Sequence, residues 1–541
     1  MNVTTVPELL ARSVHEHGQR VALERYSGPG APRDPVTFSA LAAQVEERRR
    51  QLPPSPGPVA LLLDNGPEWA ISFLAIVSDG RPAVLVDSDL RLPEVIPQLV
   101  HSEAVAVVTD ADRASELRPE WLQHAAGRPP PEVLTAGQRW MERPHPPGML
   151  GPAAPAAILY TSGSTGSPKG VVLSHQALVN GGMRCVDSVD LKPRDATLAL
   201  VPFSHVTGPV SVFLCALAAG ARLVFLDSLK PPTILAALRE AEITVLVGPP
   251  TLYEPFARRI AEKMDALPPP ARAVAEAMRG MVSLIGRISA SAGASLAWKL
   301  FSEVHQELGP RLVSLMSSGA PMRPETHQSL TLLGFDVRQG YGLSESGGVV
   351  TLERGRHTGR PGQCGPAMPG SEIRISEPDP EGIGEIWIKS DQNMQGYLRD
   401  PARTAEALVE GWLRTGDLGR LEQGGRLRVR GRQKDVIVTG AGEKVYPEDL
   451  EAHFATVPGL GEICVLGVPA SDGGQAVALV ATPAQPSDGA VAALEAQLEK
   501  RNAELASDRR ATRIVVRTQE LPRTTARQVQ RHRLAEEMAH G

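Results

Sequence analysis

The segment Tyr160-Thr-Ser-Gly-Ser-Thr-Gly-Ser-Pro-Lys-Gly170 has the residue types needed to hold phosphate groups. Gly163, Gly166 and Gly170 leave backbone N–H groups open to approach, because no side chain stands in front of them. Thr161, Ser162, Ser164 and Thr165 add hydroxyls, and Lys169 adds a positive charge. The run lies between the apolar stretches AAILY and VVLSH and reads as a loop. Its spacing, Gly163-xx-Gly166-xx-Lys169, is not the GxxxxGK[ST] of a Walker loop, which disfavours a kinase or GTPase of that type.

Alternating strands and helices must position such a loop. VALLL (59–63) and PAVLVD (82–87) are apolar runs of strand length, and PEWAISFLAIVSDG between them reads as a crossover helix ended by Gly80. That order predicts parallel sheet covered on both faces. The rhythm returns in RLVFLD (222–227), the helix ILAALREAE and TVLVGPP (244–250), and RLVSLMSSGAP (311–321) reads as a strand running into a loop. The apolar stretch from Val210 to Leu226 is broken by Gly220 and Arg222, so it reads as a buried helix and a strand rather than a membrane span. A helical insertion occupies about 255–310 and opens with a Pro268–Pro270 run. Its Val274, Met278, Met281, Leu284, Ile285 and Ile288 suit an amphipathic helix. Such a stripe packs on its parent domain, roofs an apolar tunnel, or lies on a membrane surface. After about 370 the texture changes to short strands and turns, EIRIS, GEIWIK and RLRVRGRQKDVIV, and the last hundred residues mix helices with strands.

Bulk properties narrow the classes. A chain of 541 residues exceeds one ordinary domain and predicts two or three packed units. With 56 Lys+Arg against 61 Asp+Glu the formal charge is −5, which gives no nucleic-acid surface. Cys185, Cys215, Cys364 and Cys464 are scattered and form no CxxC pair, the pattern of buried thiols in a reducing cytosol rather than of a zinc or disulfide framework. The first residues, MNVTTVPELLARSVHEHG, show no apolar signal region, and a cytoplasmic location is expected.

The phosphate-loop segment resembles that of the adenylate-forming superfamily, which holds acyl-CoA synthetases, peptide-synthetase adenylation domains and firefly luciferase. Further motifs follow in family order along nearly the whole chain. Ser317-Ser-Gly319-Ala320-Pro321 resembles the strand-end loop bordering the adenine and acyl sites. Gln339-Gly340-Tyr341-Gly342-Leu343-Ser344-Glu345 resembles the segment whose aromatic stacks on adenine, whose hydroxyl meets the α-phosphate and whose Glu binds Mg²⁺. A flat π face, a short donor and a hard oxygen ligand suit a Mg-nucleotide. Trp412-Leu-Arg-Thr-Gly-Asp417-Leu418 matches the motif whose Asp takes the ribose hydroxyls. Gly431-Arg432-Gln-Lys434-Asp435 matches the domain hinge, with Arg432 on ribose or phosphate and Lys434 as the pivot. Thr439-Gly440-Ala-Gly442-Glu-Lys-Val-Tyr-Pro447 resembles the loop lining the pantetheine tunnel. Each segment alone is also what a surface turn looks like; their joint order excludes coincidence.

The resemblance breaks near the C-terminus. LPRTTARQVQR (521–531) matches the segment whose Lys reaches the substrate carboxylate and α-phosphate, but Gln528 stands at the Lys position. Losing a charged donor in a desolvated site costs about 10²–10³ in rate. Three readings follow: Arg527 or another cation substitutes, adenylation is slow or trapped, or the chain uses part of the cycle.

The resemblance implies an α/β fold, with a large N-terminal domain of several subdomains with parallel and mixed sheets (1–432) and a small mobile α+β domain (433–541). It implies ATP-dependent activation of a carboxylic acid as acyl-AMP, with Glu345 and Thr165 as Mg²⁺ ligands and Arg432, Lys434, Gln528 and His205 as further catalytic positions. Transfer to CoA or a carrier-protein phosphopantetheine follows, and an acyl carrier protein is an alternative partner. Other acceptors, another oxyanion substrate, or ligand binding without turnover remain as alternatives. Val201-Pro-Phe-Ser-His205-Val-Thr-Gly208 resembles the Pro-x-x-His-x-x-Gly of acyl-CoA synthetases and contains no acid to grip an α-ammonium group, which favours a fatty or otherwise extended apolar acid.

Overall fold

A computed structural model describes every residue except 1–2, 126, 143–147, 149, 162–168, 441–442, 471–473, 486, 488, 507–508, 524–528 and 541. The chain forms two compact units. The first takes in residues 1–373, 388–413 and 423–427, and the second 374–387, 414–422 and 428–541.

Two seven-stranded sheets organise the first unit. One runs Asp336–Gln339, Ser314–Ser317, Val245–Gly248, Ala196–Leu198, Arg222–Leu226, Val21–Tyr26, Asp34–Thr37, parallel up to the antiparallel last strand. The other runs Gly396–Tyr397, Lys169–Ser174, Pro155–Thr161, Ala83–Leu85, Val59–Leu62, Ala106–Thr109, Glu132–Thr135. Its middle is parallel and its Pro155–Thr161/Lys169–Ser174 pair is an antiparallel hairpin. The central strands are buried along their whole length, as parallel strands covered on both faces must be. Pro67–Ser78 is the expected crossover helix, with Pro67 in its first turn and every residue from Trp69 to Val77 buried. A helix apolar all round has no solvent face and belongs in the core.

The stretch read as a buried helix from Val210 begins as a π-helix, Thr207–Leu214, and tightens into the α-helix Cys215–Ala219. The insertion is four helices, Pro250–Asp265, Pro269–Ile288, Ala290–Leu300 and Ser302–Leu308. Among the described residues no helix is long and apolar enough to cross a membrane.

The second unit is built on a three-stranded sheet, Leu460–Pro469, Gln475–Pro483, Arg513–Val516. Alternation along the strands makes two cores. Val465, Val477 and Leu479 pack with Leu450, Phe454, Leu494 and Leu498 of the helices Pro447–Phe454 and Ala490–Asn502. Cys464, Leu466 and Val480 face the other way onto Leu534 and Met538 of Arg531–His540.

One buried ion pair fixes the strand that leads into the Gln339–Glu345 segment. Arg338 and Asp336 are both fully buried and meet at 2.8 Å. Arg338 also donates to the Ser188 and Glu353 carbonyls at 2.7 and 3.2 Å, and Asp336 accepts from Ser314 Oγ at 3.2 Å and from the His357 amide at 2.8 Å. Removing one partner strands the other charge away from water. Asp336→Ala is therefore expected to lower stability by about 3–5 kcal/mol, measured by urea unfolding of the whole chain.

Candidate active site

The strands Ser314–Ser317 and Asp336–Gln339 run parallel with Ser317 opposite Gln339, so both release their following loops at the same end of the sheet. Ligands of open α/β sheets bind beyond the carboxyl ends of strands. The Gly340 amide donates to the Ser317 carbonyl at 2.8 Å, and the Gln339 side chain reaches the Ala320 carbonyl and the Met322 amide at 3.5 and 3.4 Å. Gly319 adopts φ +87°, and Gly319, Ala320 and Pro321 are exposed.

Beyond Gly340 the chain forms a close hairpin, Tyr341–Leu343 against Gly348–Thr351. A Cβ on Gly342 would lie 1.9 Å from the Gly348 carbonyl oxygen, so no side chain fits there. Tyr341 is buried. Ser346 holds the turn: its Oγ accepts from the Leu343 amide at 2.8 Å and donates to the Gly348 carbonyl at 2.8 Å. Ser344 and Glu345, both half-buried, sit in this turn.

The hairpin that carries the phosphate-loop segment has Thr161 opposite Lys169, so the loop's two ends are fixed side by side. Ser162, Gly163, Ser164, Thr165 and Gly166 lie outside the described residues. The short strand Gly396–Tyr397 adds to this hairpin, with Tyr397 opposite Val171. The Tyr397 hydroxyl donates to Glu345 Oε1 at 3.0 Å, the Met394 amide donates to the Glu345 carbonyl at 2.8 Å, and Lys169 Nζ lies 5.8 Å from the centre of the Tyr397 ring. Burial, and then the neighbouring Glu345 carboxylate, pushes the Tyr397 hydroxyl above its ordinary value, so it stays protonated and donating. Lys169, Tyr397 and Glu345 thus make a continuous polar line between the two sheets. Sequence reading found its ends but not Tyr397, whose role depends on pairing with a strand far away in the chain.

His205 stands just before the π-helix in a loop that Asn65 pins by donating to the Ala199 and Val201 carbonyls at 3.0 and 2.8 Å and accepting from the Phe203 amide at 2.9 Å. Its Nε2 lies 3.9 Å from Asp87, a buried carboxylate that also accepts from the Asp89 amide at 3.0 Å. Burial raises Asp87 above the usual carboxylate range. The 201–208 segment has no acid of its own, but the fold supplies one from the end of a neighbouring strand. Beside the ends of the 317 and 340 strands is an apolar cavity of about 40 Å³, lined by Cys185, Ser211, Val212, Cys215, Met316 and Gly340. It is far smaller than a typical ligand pocket, so a bulky guest requires its walls to give.

In the second unit Asp417 is buried and meets Arg432 Nε at 3.2 Å. Glu385 accepts from the Gly416 amide at 3.0 Å and fixes the turn beneath it. Lys434 is exposed in the single turn Gln433–Asp435. Gly440 is exposed at the tip of the Ile437–Val438/Lys444–Val445 hairpin; Gly442 lies outside the described residues. In the C-terminal segment Arg523 pairs opposite Val529; Arg527 and Gln528 are outside the described residues. The cations on either side are committed elsewhere. Arg523 pairs with Glu462, while Arg531 Nη2 lies 2.8 Å from Glu451 and 3.2 Å from Glu448, and Nη1 3.8 Å from Asp435 of the turn Gln433–Asp435.

With this geometry in place, comparison fixes the class. The AMP-binding enzyme family model matches residues 10–398, and the chain belongs to that family. It is 27% identical over 435 residues to the long-chain-fatty-acid–CoA ligase FadD13 of Mycobacterium tuberculosis, covering 78% of this chain and 77% of that protein. It is 27% identical over 436 residues to the feruloyl-CoA synthase of an Amycolatopsis species, covering 79% of each. The crystal structure of ATP-bound MatB from Rhodopseudomonas palustris superposes with a TM-score of 0.76 at 25% identity, covering 98% of this chain and 99% of that one. The α/β architecture is therefore that of the family, as expected from the motifs.

The cluster around Arg531 gives a pH prediction. Burial pushes Glu448 up from 4.5 to about 7, against the pull of Arg531. A raised carboxylate makes the folded chain hold a proton that the unfolded chain releases. Its stabilising contribution is full below about 4.5 and is lost as pH rises through about 7. Glu448→Gln is expected to flatten the fall in melting temperature across that window, read by calorimetry at stepped pH.

Proposed function

We propose that the chain is an AMP-forming acid–thiol ligase that activates a carboxylic acid with ATP and transfers the acyl group to CoA. The observation carrying this reading is the convergence of Glu345, Tyr397 and Lys169 at the mouth of the phosphate-loop hairpin, within a chain of the AMP-binding family. In the first step a carboxylate oxygen attacks the α-phosphorus of ATP. The α–β bridging bond breaks, its electrons leave with pyrophosphate, and acyl-AMP remains. In the second step a thiolate attacks the acyl carbon, the bond to AMP breaks, and a thioester and AMP are released.

Among the described residues no group of three or more His, Cys, Asp or Glu side chains could hold a metal alone. The free oxygen of Glu345, beside a hydroxyl-anchored partner, fits a Mg²⁺ ion that takes its other ligands from phosphate and water, and Thr165 is the second ligand we assign. Mg²⁺ bound there neutralises charge on the phosphate oxygens. Tyr397 keeps the Glu345 carboxylate aimed, Lys169 adds a cation at the phosphate, and Tyr341, Ser344, Gly319, Ala320 and Pro321 border the nucleotide. Asp417 accepts from the ribose hydroxyls while Arg432 steadies it.

We assign residues 1–432 and 433–541 as the domains and Lys434 as the pivot that exchanges the first half-reaction for the second, with Gly440 and Gly442 lining the thiol path. In the second unit a polar depression of about 360 Å³, lined by Trp387, Arg414, Lys444 and Tyr446 among others, suits the phosphate-rich end of the thiol donor. The apolar lining near Met316, His205 at its loop and the names of the relatives favour a fatty or extended apolar acid. Four buried free thiols fit a cytoplasmic location.

Pyrophosphate release across a panel of acids, with hydroxamate capture of the adenylate, tests the reading. Parent activity on medium or long apolar acids is expected, with a gain of about tenfold or more in Gln528→Lys, because a charged donor is restored. Absence of nucleotide binding in both proteins overturns the proposal. Tyr397→Phe is expected to slow pyrophosphate release about tenfold or more through loss of a hydrogen bond to a charged group, with the melting temperature nearly unchanged.

A further inference from the structure

The helix Pro269–Ile288 of the insertion carries large apolar side chains in the open. Val274 is 55% exposed, Met281 49%, Leu284 62% and Ile288 85%. Their spacing puts them on one face, which Ala277 and Gly280 extend. Val282 is buried on another face. A Cβ on Gly293 would meet Gly286 at 2.8 Å, so the next helix, Ala290–Leu300, is already pressed against this one elsewhere. The exposed face is additional to the packing that holds the helix on its parent.

Charge on this helix is one-sided. It holds Arg272, Arg279 and Arg287 but one acid, Glu276, which Arg272 engages at 3.1 Å. Arg287 is exposed beside Ile288 at the border of the apolar face. An apolar face bordered by Arg287, on a helix where three arginines outnumber one acid, complements the anionic boundary of a bilayer, where a helix lies flat with its apolar side sunk among the acyl chains.

A second copy of the chain fits less well. A helix of this length spans about 30 Å and is about 10 Å wide, so its face offers about 300 Å². Stable pairs bury about 800 Å² per partner. Bordering the stripe are Ala273, Met278, Ile285 and the lone charge of Arg287, without the ladder of opposite charges that selects a helical partner.

We infer that the Val274–Ile288 face docks the enzyme on the surface of an anionic lipid bilayer. The docking rests on this face alone; the reading of the chain as a ligase of apolar acids adds the reason for it, since such acids partition into the bilayer.

Flotation of the full chain with vesicles of phosphatidylcholine, with or without about 30% phosphatidylglycerol, tests the inference. Binding is expected to the anionic vesicles, weaker to the neutral ones, and reduced at about 0.5 M salt. Leu284→Glu/Ile288→Glu is expected to bind at least about tenfold more weakly, with unchanged melting temperature and unchanged activity on a short water-soluble acid. Equal binding by parent and double variant, or no binding by the parent, overturns the inference. So does a parent dimer that the double variant disperses while neither binds vesicles, which would assign the face to a second copy. Vesicle binding is read without turnover, so failure of the ligase reading leaves it distinguishable.

Discussion

The hydrogen bond from Tyr397 to Glu345 adds a link at the candidate site between two sheets that Asn65 also ties together. Glu345 is delivered by a loop after the strand Asp336–Gln339, and Tyr397 by the edge strand that extends the phosphate-loop hairpin. Each has its own anchor, Ser346 in the one turn and the pairing with Val171 in the other. Through this 3.0 Å contact and the Met394 amide the two loops share one position, and the cation at Lys169 is placed with them. A buried phenol serves well here because burial next to a carboxylate suppresses its ionisation, so it cannot turn from donor to repelling anion.

The parallel core was legible because buried strands leave nearly unbroken apolar runs: Val59–Leu62, Ala83–Leu85, Arg222–Leu226, Val245–Gly248 and Ser314–Ser317 all fall inside stretches read as strands. The glycine at 342 was also legible as part of a motif, and the structure supplies the reason, a carbonyl where its Cβ would stand. The π-helix was not legible. An apolar run buried on all sides has no polar face to mark its period, so 3.6 and wider turns leave the same pattern. Tyr397 and Asp87 escaped for another reason. Each acts through a neighbour brought close by tertiary pairing, and no local spacing records that.

The second unit shows what the cations near position 528 are doing. Arg531 follows Gln528 closely in sequence and looks like a spare cation, yet three carboxylates hold it against the turn Gln433–Asp435 and the helix Pro447–Phe454. Its desolvated guanidinium is stabilised by that company, and releasing it would leave several buried acids without a counter-ion. Among the described residues, the two arginines that bracket 524–528 are therefore held by structural ion pairs.

The strand Arg426–Arg432 carries one glycine near its end that is constrained from two sides. Gly431 adopts φ +140°, and a Cβ there would stand 2.3 Å from Glu448 Oε2. The same carboxylate is one of those gripping Arg531. A side chain at 431 needs both a strained backbone and a displaced Glu448 carboxylate, and displacing that carboxylate loosens the grip on the arginine that opens the C-terminal helix. The glycine at 431 is thus held in place by packing within its own unit.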